Sequence, residues 1–368
     1  MATEVKTTTP SAFSPFTLRG TVFKNRLGVS PMCTYSSEDG FYSDWHLVHL
    51  GSRAVGGYGL VIAEATGVSP EGRISPGDGG LWKDEHVAPL KKIADFIKGQ
   101  GAVFGIQLAH AGRKASAARP WEGDHHLKEE EGGWEIVAPS AIAFGQNLWK
   151  VPRELTVEEI LAIEDKFASA AKRAVEAGVQ VIEIHAAHGY LLHEFYSPLS
   201  NKRTDNYGGS FENRTRFLIE TVNKIRAAIP AEVLLFIRIS STDWDPEGWT
   251  IEDSVTLGKV LKTLGVDLVD VSSGFVIPNY ASVPFGKGFQ VPLSEKFRSE
   301  TGLPTSTVGF ITEPEQAEEI IREGKADIVL TARESLRNPH FPYIAAKALQ
   351  LETPASVFPS QYSHWLKR

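Results

Sequence analysis

Eight short apolar stretches recur along the chain: Arg26–Ser30, Leu60–Ala65, Val103–Leu108, Val181–His185, Leu234–Ile239, Leu268–Val271, Thr305–Val308 and Ile328–Thr331. Several lack the polar alternation of a half-exposed strand, which is the pattern of strands covered on both faces. Helical spacing fills most of the intervals. After Thr156, positions Ile160, Ile163, Phe167, Ala170 and Ala174 make one apolar face. Thr156 and Glu159 form a capping-box pair in front of it, and Gly178 stands where a terminating glycine belongs. Thr312 and Glu315 form a second such pair, opening a helix expected to stop near Gly324. Phe211–Ile229 and Ile251–Leu264 also carry helical spacing.

Strands alternating with helices predict an α/β fold, and eight such strands predict a (β/α)8 TIM barrel rather than an open sheet. Phe16–Phe23, turning at Gly20, reads as a hairpin ahead of the first barrel strand. The stretch after strand 3, about 110–153, is too long for a plain connection and is expected to form a lid or capping subdomain. Residues 1–13 are polar and Thr-rich and are expected to be a disordered tail, not a signal peptide. Residues 14–368 are expected to form one domain, ending in a tail from about 352.

Composition narrows the classes. Hydrophobic content of 42%, charged content of 23% and a formal charge of -7 give no basic surface for nucleic acid or anionic lipid. No apolar run approaches the ~20 residues of a membrane span. The single cysteine, Cys33, excludes an intrachain disulfide, a Cys-rich zinc site and a four-Cys iron–sulfur cluster within one chain. It fits a reducing compartment, and the expected location is cytoplasmic. The sequon Asn213-Arg214-Thr215 carries no weight without a secretion signal.

The chemistry concentrates in Glu183-Ile184-His185-Ala186-Ala187-His188-Gly189-Tyr190, at the end of the fourth strand. Neutral imidazoles can donate to an oxygen gaining negative charge, and a phenol can protonate the neighbouring carbon. That suits reduction of a double bond conjugated to a carbonyl. Two histidines three apart are equally common as metal ligands, with Glu183, His193 and Glu194 as further candidates. Active sites of TIM barrels lie at the C-terminal ends of the strands. Those ends carry Ser30-Pro31-Met32-Cys33, Ala65, Gln107, His185, Arg238, Ser272, Gly309 and Arg333. An amide and an arginine suit the polar edge of a flat heterocycle, and glycine with arginine after strands 7 and 8 suits a phosphate, so FMN is the suggested ligand. The rival for Arg238 is a structural pair with Asp270.

Several ordered motifs carry a family likeness. They are Ser30–Cys33, Gln107-Leu108-Ala109-His110-Ala111-Gly112-Arg113-Lys114, His185–Tyr190, Asn201–Asp205 and Tyr207–Arg214. From about Phe16 to Trp365 the chain resembles the old yellow enzyme family of FMN-dependent ene-reductases. Within it, the chain is similar to the thermophilic-like subgroup and its xenobiotic reductases. The resemblance implies that Ser30, Pro31, Met32, Cys33 and Ala65 line a noncovalent FMN. It implies that Gln107 and Arg238 bind the pyrimidine side, and that Gly309, Ala332 and Arg333 hold the phosphate. His185 and His188 would grip the substrate oxygen, and His185 also sits against the cofactor. Tyr190 would be the proton donor, Tyr35 would touch substrate, and Trp365 would reach a neighbouring subunit. Ala332 departs from the family's usual glycine, and Val308 stands where a close relative has a large aromatic residue.

The expected activity is that of an NAD(P)H-dependent flavin oxidoreductase. NADPH or NADH reduces FMN and leaves, and an enone or similar activated alkene is then reduced at the same site. Small molecules are the expected partners, with a homodimer or higher homo-oligomer as the assembly. Two rivals stand beside this reading: a metal-dependent barrel hydrolase using His185, His188 and Glu194, and a flavin-binding protein without alkene turnover.

Overall fold

Eight parallel strands close on themselves in the computed structural model, which describes residues 10–366. They are β1 (Leu27–Val29), β2 (Leu60–Gly67), β3 (Val103–Ala109), β4 (Val181–Ala186), β5 (Leu234–Ser240), β6 (Leu268–Ser272), β7 (Thr305–Thr307) and β8 (Ile328–Thr331). Each pairs with the next, and β8 returns to β1. The main helices between them are α1 (Asp44–Val55), α2 (Val87–Gly99), α3 (Val157–Glu176), α4 (Phe211–Ala228), α5 (Ile251–Thr263), α6 (Val291–Thr301), α7 (Pro314–Arg322) and α8 (Phe341–Ala348). The expected TIM barrel is the observed fold.

Why these segments form it follows from burial. Every residue of β2 to β6 is buried. Alternate side chains point inward, and there Leu60, Ile62, Val181, Leu234, Phe236 and Leu330 form an inner cluster. Phe23, from the N-terminal hairpin of Phe16–Leu18 and Thr21–Phe23, joins that cluster. The outward set, including Ile106, Ile184 and Ile237, packs on Phe167, Leu218 and Leu261 of the helices. Burying each such side chain is worth about 1.5–3 kcal/mol. One residue further along the inward-facing rows the chemistry changes. Gln107, Glu183, Arg238 and Asp270 make a polar layer above the apolar one.

The capping box of α3 forms as expected, with Thr156 N 2.9 Å from Glu159 Oε2 and Glu159 N 3.3 Å from Thr156 Oγ1. The box expected at Thr312 and Glu315 does not form. Pro314 occupies the first turn of α7 and Glu313 is the cap residue, while the Thr312 N–H donates to Gln316 Oε1 at 3.3 Å. Proline pre-sets the first helical position, so the helix starts one residue later than the pair implies. A box not singled out from the sequence, Thr250 with Asp253, opens α5.

The stretch expected to be disordered, 1–13, overlaps the described residues only at 10–13, and Met1–Thr9 lies outside them. Where it is described, it is docked. Ala12 is buried, its N–H donates to Glu318 Oε2 at 2.8 Å, and its carbonyl accepts from Arg26 N at 2.8 Å. Phe13 packs against the core beside it, so the apolar pair Ala12-Phe13 pins this stretch.

The insertion, 110–153, holds single turns at Gly112–Lys114, Pro120–Glu122 and Glu129–Glu131. Its strand Val137–Ala138 pairs with Arg153–Glu154. Arg113 ties it down by donating to the carbonyls of Ile142 (3.1 Å) and Val276 (2.5 Å). Arg203 pairs with Asp205 and donates to the carbonyls of Pro139 and Leu155, so the 201–214 loop supports the insertion. Among the described residues, no helix is long and apolar enough to cross a membrane.

Candidate active site

The polar layer forms the floor. Gln107 and Glu183 are register neighbours, and the Gln107 amide donates to Glu183 Oε1 at 2.7 Å. Arg238 Nε donates to Asp270 Oδ2 at 2.5 Å, its Nη2 donates to Ser30 Oγ at 2.8 Å, and Glu183 Oε1 lies 3.9 Å from its Nε. Two carboxylates therefore share one guanidinium. Burial pushes the Glu183 pKa up, and the nearby Asp270 pushes it further. Burial also raises that of Asp270 against the pull of Arg238. Glu183 Oε2 and Asp270 Oδ1 are buried without a partner. The structural pairing of Arg238 with Asp270 is thus real, and Arg238 also faces a cavity.

That cavity, of about 340 Å³, brings together Ser30, Pro31, Met32 and Arg238 with Gly309, Ala332 and Arg333. Gly309 has φ +122°, and a Cβ there would lie 2.9 Å from the Phe289 ring. Glycine therefore opens this corner in both conformation and space. Ala332 packs its methyl on the inner apolar cluster. The Arg333 guanidinium lies 4.6 Å from the centre of the Phe310 ring. Phe285, Phe289 and Phe310 pack together along this side, supplying the aromatic cover that Val308 lacks. Cys33, Ala65 and Gln107 do not line this cavity. Ala65 sits beside Gln107 in the β2–β3 register, just past an irregularity at Ala63 and Ala65.

His185, His188 and Tyr190 cluster at the mouth. The His185 ring centre is 5.3 Å from that of His188 and 4.8 Å from that of Tyr190. His188 adopts φ +58° and its N–H donates to Ser240 Oγ at 2.9 Å. Tyr35, at φ +50°, is a second site residue in the left-handed region, where non-glycine residues are uncommon. Burial holds both imidazole pKa values well below the usual range. Arg238 and Lys114 add to this at His185, and His185 and Arg238 at His188. The His188 Nε2 is engaged by Ser272 Oγ at 2.7 Å, whereas the buried His185 Nδ1 has no partner. Burial raises the Tyr190 pKa, with Cys33, Asp78 and Asp124 contributing. Burial likewise raises that of the Cys33 thiol, with Asp78 and Glu64 adding to it, which disfavours the thiolate.

Tyr35 and Tyr190 line a second cavity, of about 270 Å³, together with Lys114, Asp124, Phe144 and Tyr280. Trp365 lies on the terminal helix Ser360–Leu366, is 76% exposed, and lines neither cavity. Two polar residues escaped the sequence reading. Lys114 had a visible signal, since it lies within a quoted motif. Gln290 had none. It accepts from Ser273 Oγ at 2.7 Å and donates to the Val308 carbonyl at 2.7 Å, bracing the loops around the first cavity.

The metal reading requires His185, His188 and Glu194 to converge. Glu194 instead accepts from the Arg113 N–H at 2.9 Å, and His193 pairs with Asp243 at 2.9 Å. Among the described residues no three His, Cys, Asp or Glu side chains are grouped to hold an ion. A flat cofactor fits better. The cavity is lined by the hydrogen-bonding Ser30, Ser272 and Gln290, by the guanidinium groups of Arg238 and Arg333, and by a corner that only glycine leaves open.

Such a site in such a barrel is that of an FMN-dependent oxidoreductase. The chain belongs to the NADH:flavin oxidoreductase / NADH oxidase family, whose model matches residues 11–352. The NADPH dehydrogenase of Geobacillus sp. (strain WCH70) is 50% identical over 347 residues, spanning 94% of this chain and 96% of that one. A 2-naphthoyl-CoA reductase of known structure superposes on 95% of this chain with a TM-score of 0.84 at 27% identity, while this chain spans about half, 53%, of that longer one. An old yellow enzyme homologue from Zymomonas mobilis superposes with a TM-score of 0.77 at 27% identity over 93% of each chain. The old yellow enzyme likeness is borne out, and with it an NAD(P)H-dependent flavin oxidoreductase that uses FMN.

Proposed function

We propose that this enzyme reduces the C=C bond of α,β-unsaturated carbonyl compounds, with Tyr190 as the proton donor. The observation that carries the reading is the cluster of two neutral imidazoles and a protonated phenol at the barrel mouth. Bound FMN, once reduced by NADPH or NADH, supplies a hydride. Ser30 to Cys33, Ala65, Gln107 and Arg238 would hold its ring, and Gly309, Ala332 and Arg333 its phosphate.

His185 is one donor of the pair, and its buried Nδ1 has no protein partner. His188 must exchange its bond with Ser272 to reach the same oxygen. Each donor acts as negative charge grows on the carbonyl oxygen, and such donors are typically worth about 2.7–4 kcal/mol. Tyr190 then passes its proton to the α-carbon. With Tyr35 it walls the second cavity, so the bulk of the substrate rests there. The exposed Trp365 supports a role for the terminal helix at a second copy of the chain, which light scattering of the holoenzyme would test.

The deciding experiment is Tyr190→Phe in stopped flow. Oxidation by an enone should slow by about 10² or more, while reduction of FMN by NADPH persists. Equal loss of both half-reactions would contradict the role.

A further inference from the structure

Lys114 stands in the second cavity with no role in the reaction as described so far. Its ammonium lies 4.7 Å from the centre of the Tyr190 ring and donates to the His188 carbonyl at 2.8 Å. It also lies 4.9 Å from the centre of the Phe144 ring, further along the same insertion. It therefore bridges the strand end that carries the proton donor and the insertion that covers it. Besides His185, whose imidazole burial keeps neutral, the ionisable groups that bear on Tyr190 include Cys33, Asp78, Asp124 and Tyr280, all neutral or negative when they titrate. Each would oppose a negative charge on the phenol. A cation within about 4–6 Å favours the charged form of a neighbouring acid.

We propose that Lys114 is a positioning residue for protonation: its ammonium stabilises the phenolate that Tyr190 becomes and fixes the ring against the His188 carbonyl. The inference rests on the alkene-reductase reading above. In the step concerned, the Tyr190 O–H bond breaks, its proton forms the new C–H bond at the α-carbon, and hydride has gone to the β-carbon. The electron pair left on the phenol oxygen spreads into the ring beside the ammonium, until a proton from solvent restores the phenol.

A pH signature follows. The groups facing Lys114 are Tyr190, Glu194, Asp124 and Arg113, with His185 and His188 nearby. Burial lowers the Lys114 pKa to about 8, with Glu194 and Asp124 pulling it up and Arg113 pushing it down. Its charge is present below that value and lost above it.

The test compares Lys114→Met, Lys114→Arg and Tyr190→Phe as FMN-loaded proteins, with 2-cyclohexenone as the probe alkene. FMN stoichiometry and thermal melting report whether each variant folds. The readout is the ratio of the enone-oxidation rate to the NADPH-reduction rate across pH 6–10. In the native enzyme the ratio should fall above about pH 8. Lys114→Met should lower it about tenfold at pH 7 and abolish that break. Lys114→Arg should restore the ratio and keep it beyond pH 9, and Lys114→Met should cost nothing further in the Tyr190→Phe background. An unchanged ratio in Lys114→Met, or a lowered one that keeps its break, would overturn the inference while Tyr190→Phe still slows the alkene step. If Tyr190→Phe leaves the ratio intact, Tyr190 is not the proton donor and this inference falls with that role, whereas a native enzyme that the enone does not reoxidise would overturn the alkene-reductase reading itself.

Discussion

Arg238 must satisfy two buried carboxylates inside the barrel. Removing it as Arg238→Met would strand Asp270 and Glu183 as buried acids, at a cost of about 3–5 kcal/mol. Urea unfolding should read that loss. Glu183→Gln keeps the contact with Gln107 and relieves the excess negative charge, so its effect should be much smaller. At this scale much of the site was legible. Arg238, Gly309 and Arg333 sit at strand ends, and position along a strand is read directly from apolar runs. Lys114 was visible but ambiguous, because a lysine in a motif does not reveal which ring it faces. Gln290 caps α6 at the end of an aperiodic loop, so nothing in its neighbours announced that it would brace Ser272, Ser273 and Val308.

Among the elements, the barrel strands were legible because burial on both faces leaves unbroken apolar runs. The strands of the insertion were not. A pair such as Val137–Ala138 with Arg153–Glu154 is two residues long and shows no period. The caps separate local from tertiary signals. Thr156→Ala should cost α3 about 1 kcal/mol, because both bonds of its box are made. Thr312→Ala should cost α7 no comparable capping energy, since Pro314 and Glu313 start that helix. Parallel denaturation of the two variants checks the contrast.

For the whole molecule, buried ionisable groups set the response to pH. Burial raises Glu194 to about 8 and Asp78 to about 7. For such carboxyls the folded state holds its proton longer than the unfolded chain does, so their contribution is full below the unfolded pKa and fades as pH rises through the folded one. Burial lowers His49, His110 and His126 to about 4, so their contribution is full above about 6.5 and fades as pH falls toward 4. From pH 6.5 upward the carboxyls change first, and Lys24 and Lys114, which burial lowers to about 8, offset them only near the upper end of the interval to pH 8. Holoenzyme melting temperature should therefore decline over that interval, and Glu194→Gln should flatten the decline.

The N-terminal hairpin has a kinetic corollary. Phe23 packs into the inner apolar cluster, away from the strand-end cavities, so in the proposed reaction nicotinamide and alkene take turns at the strand ends. Double-reciprocal plots should run parallel, and a surplus of either visitor should throttle turnover by occupying the threshold while the other waits.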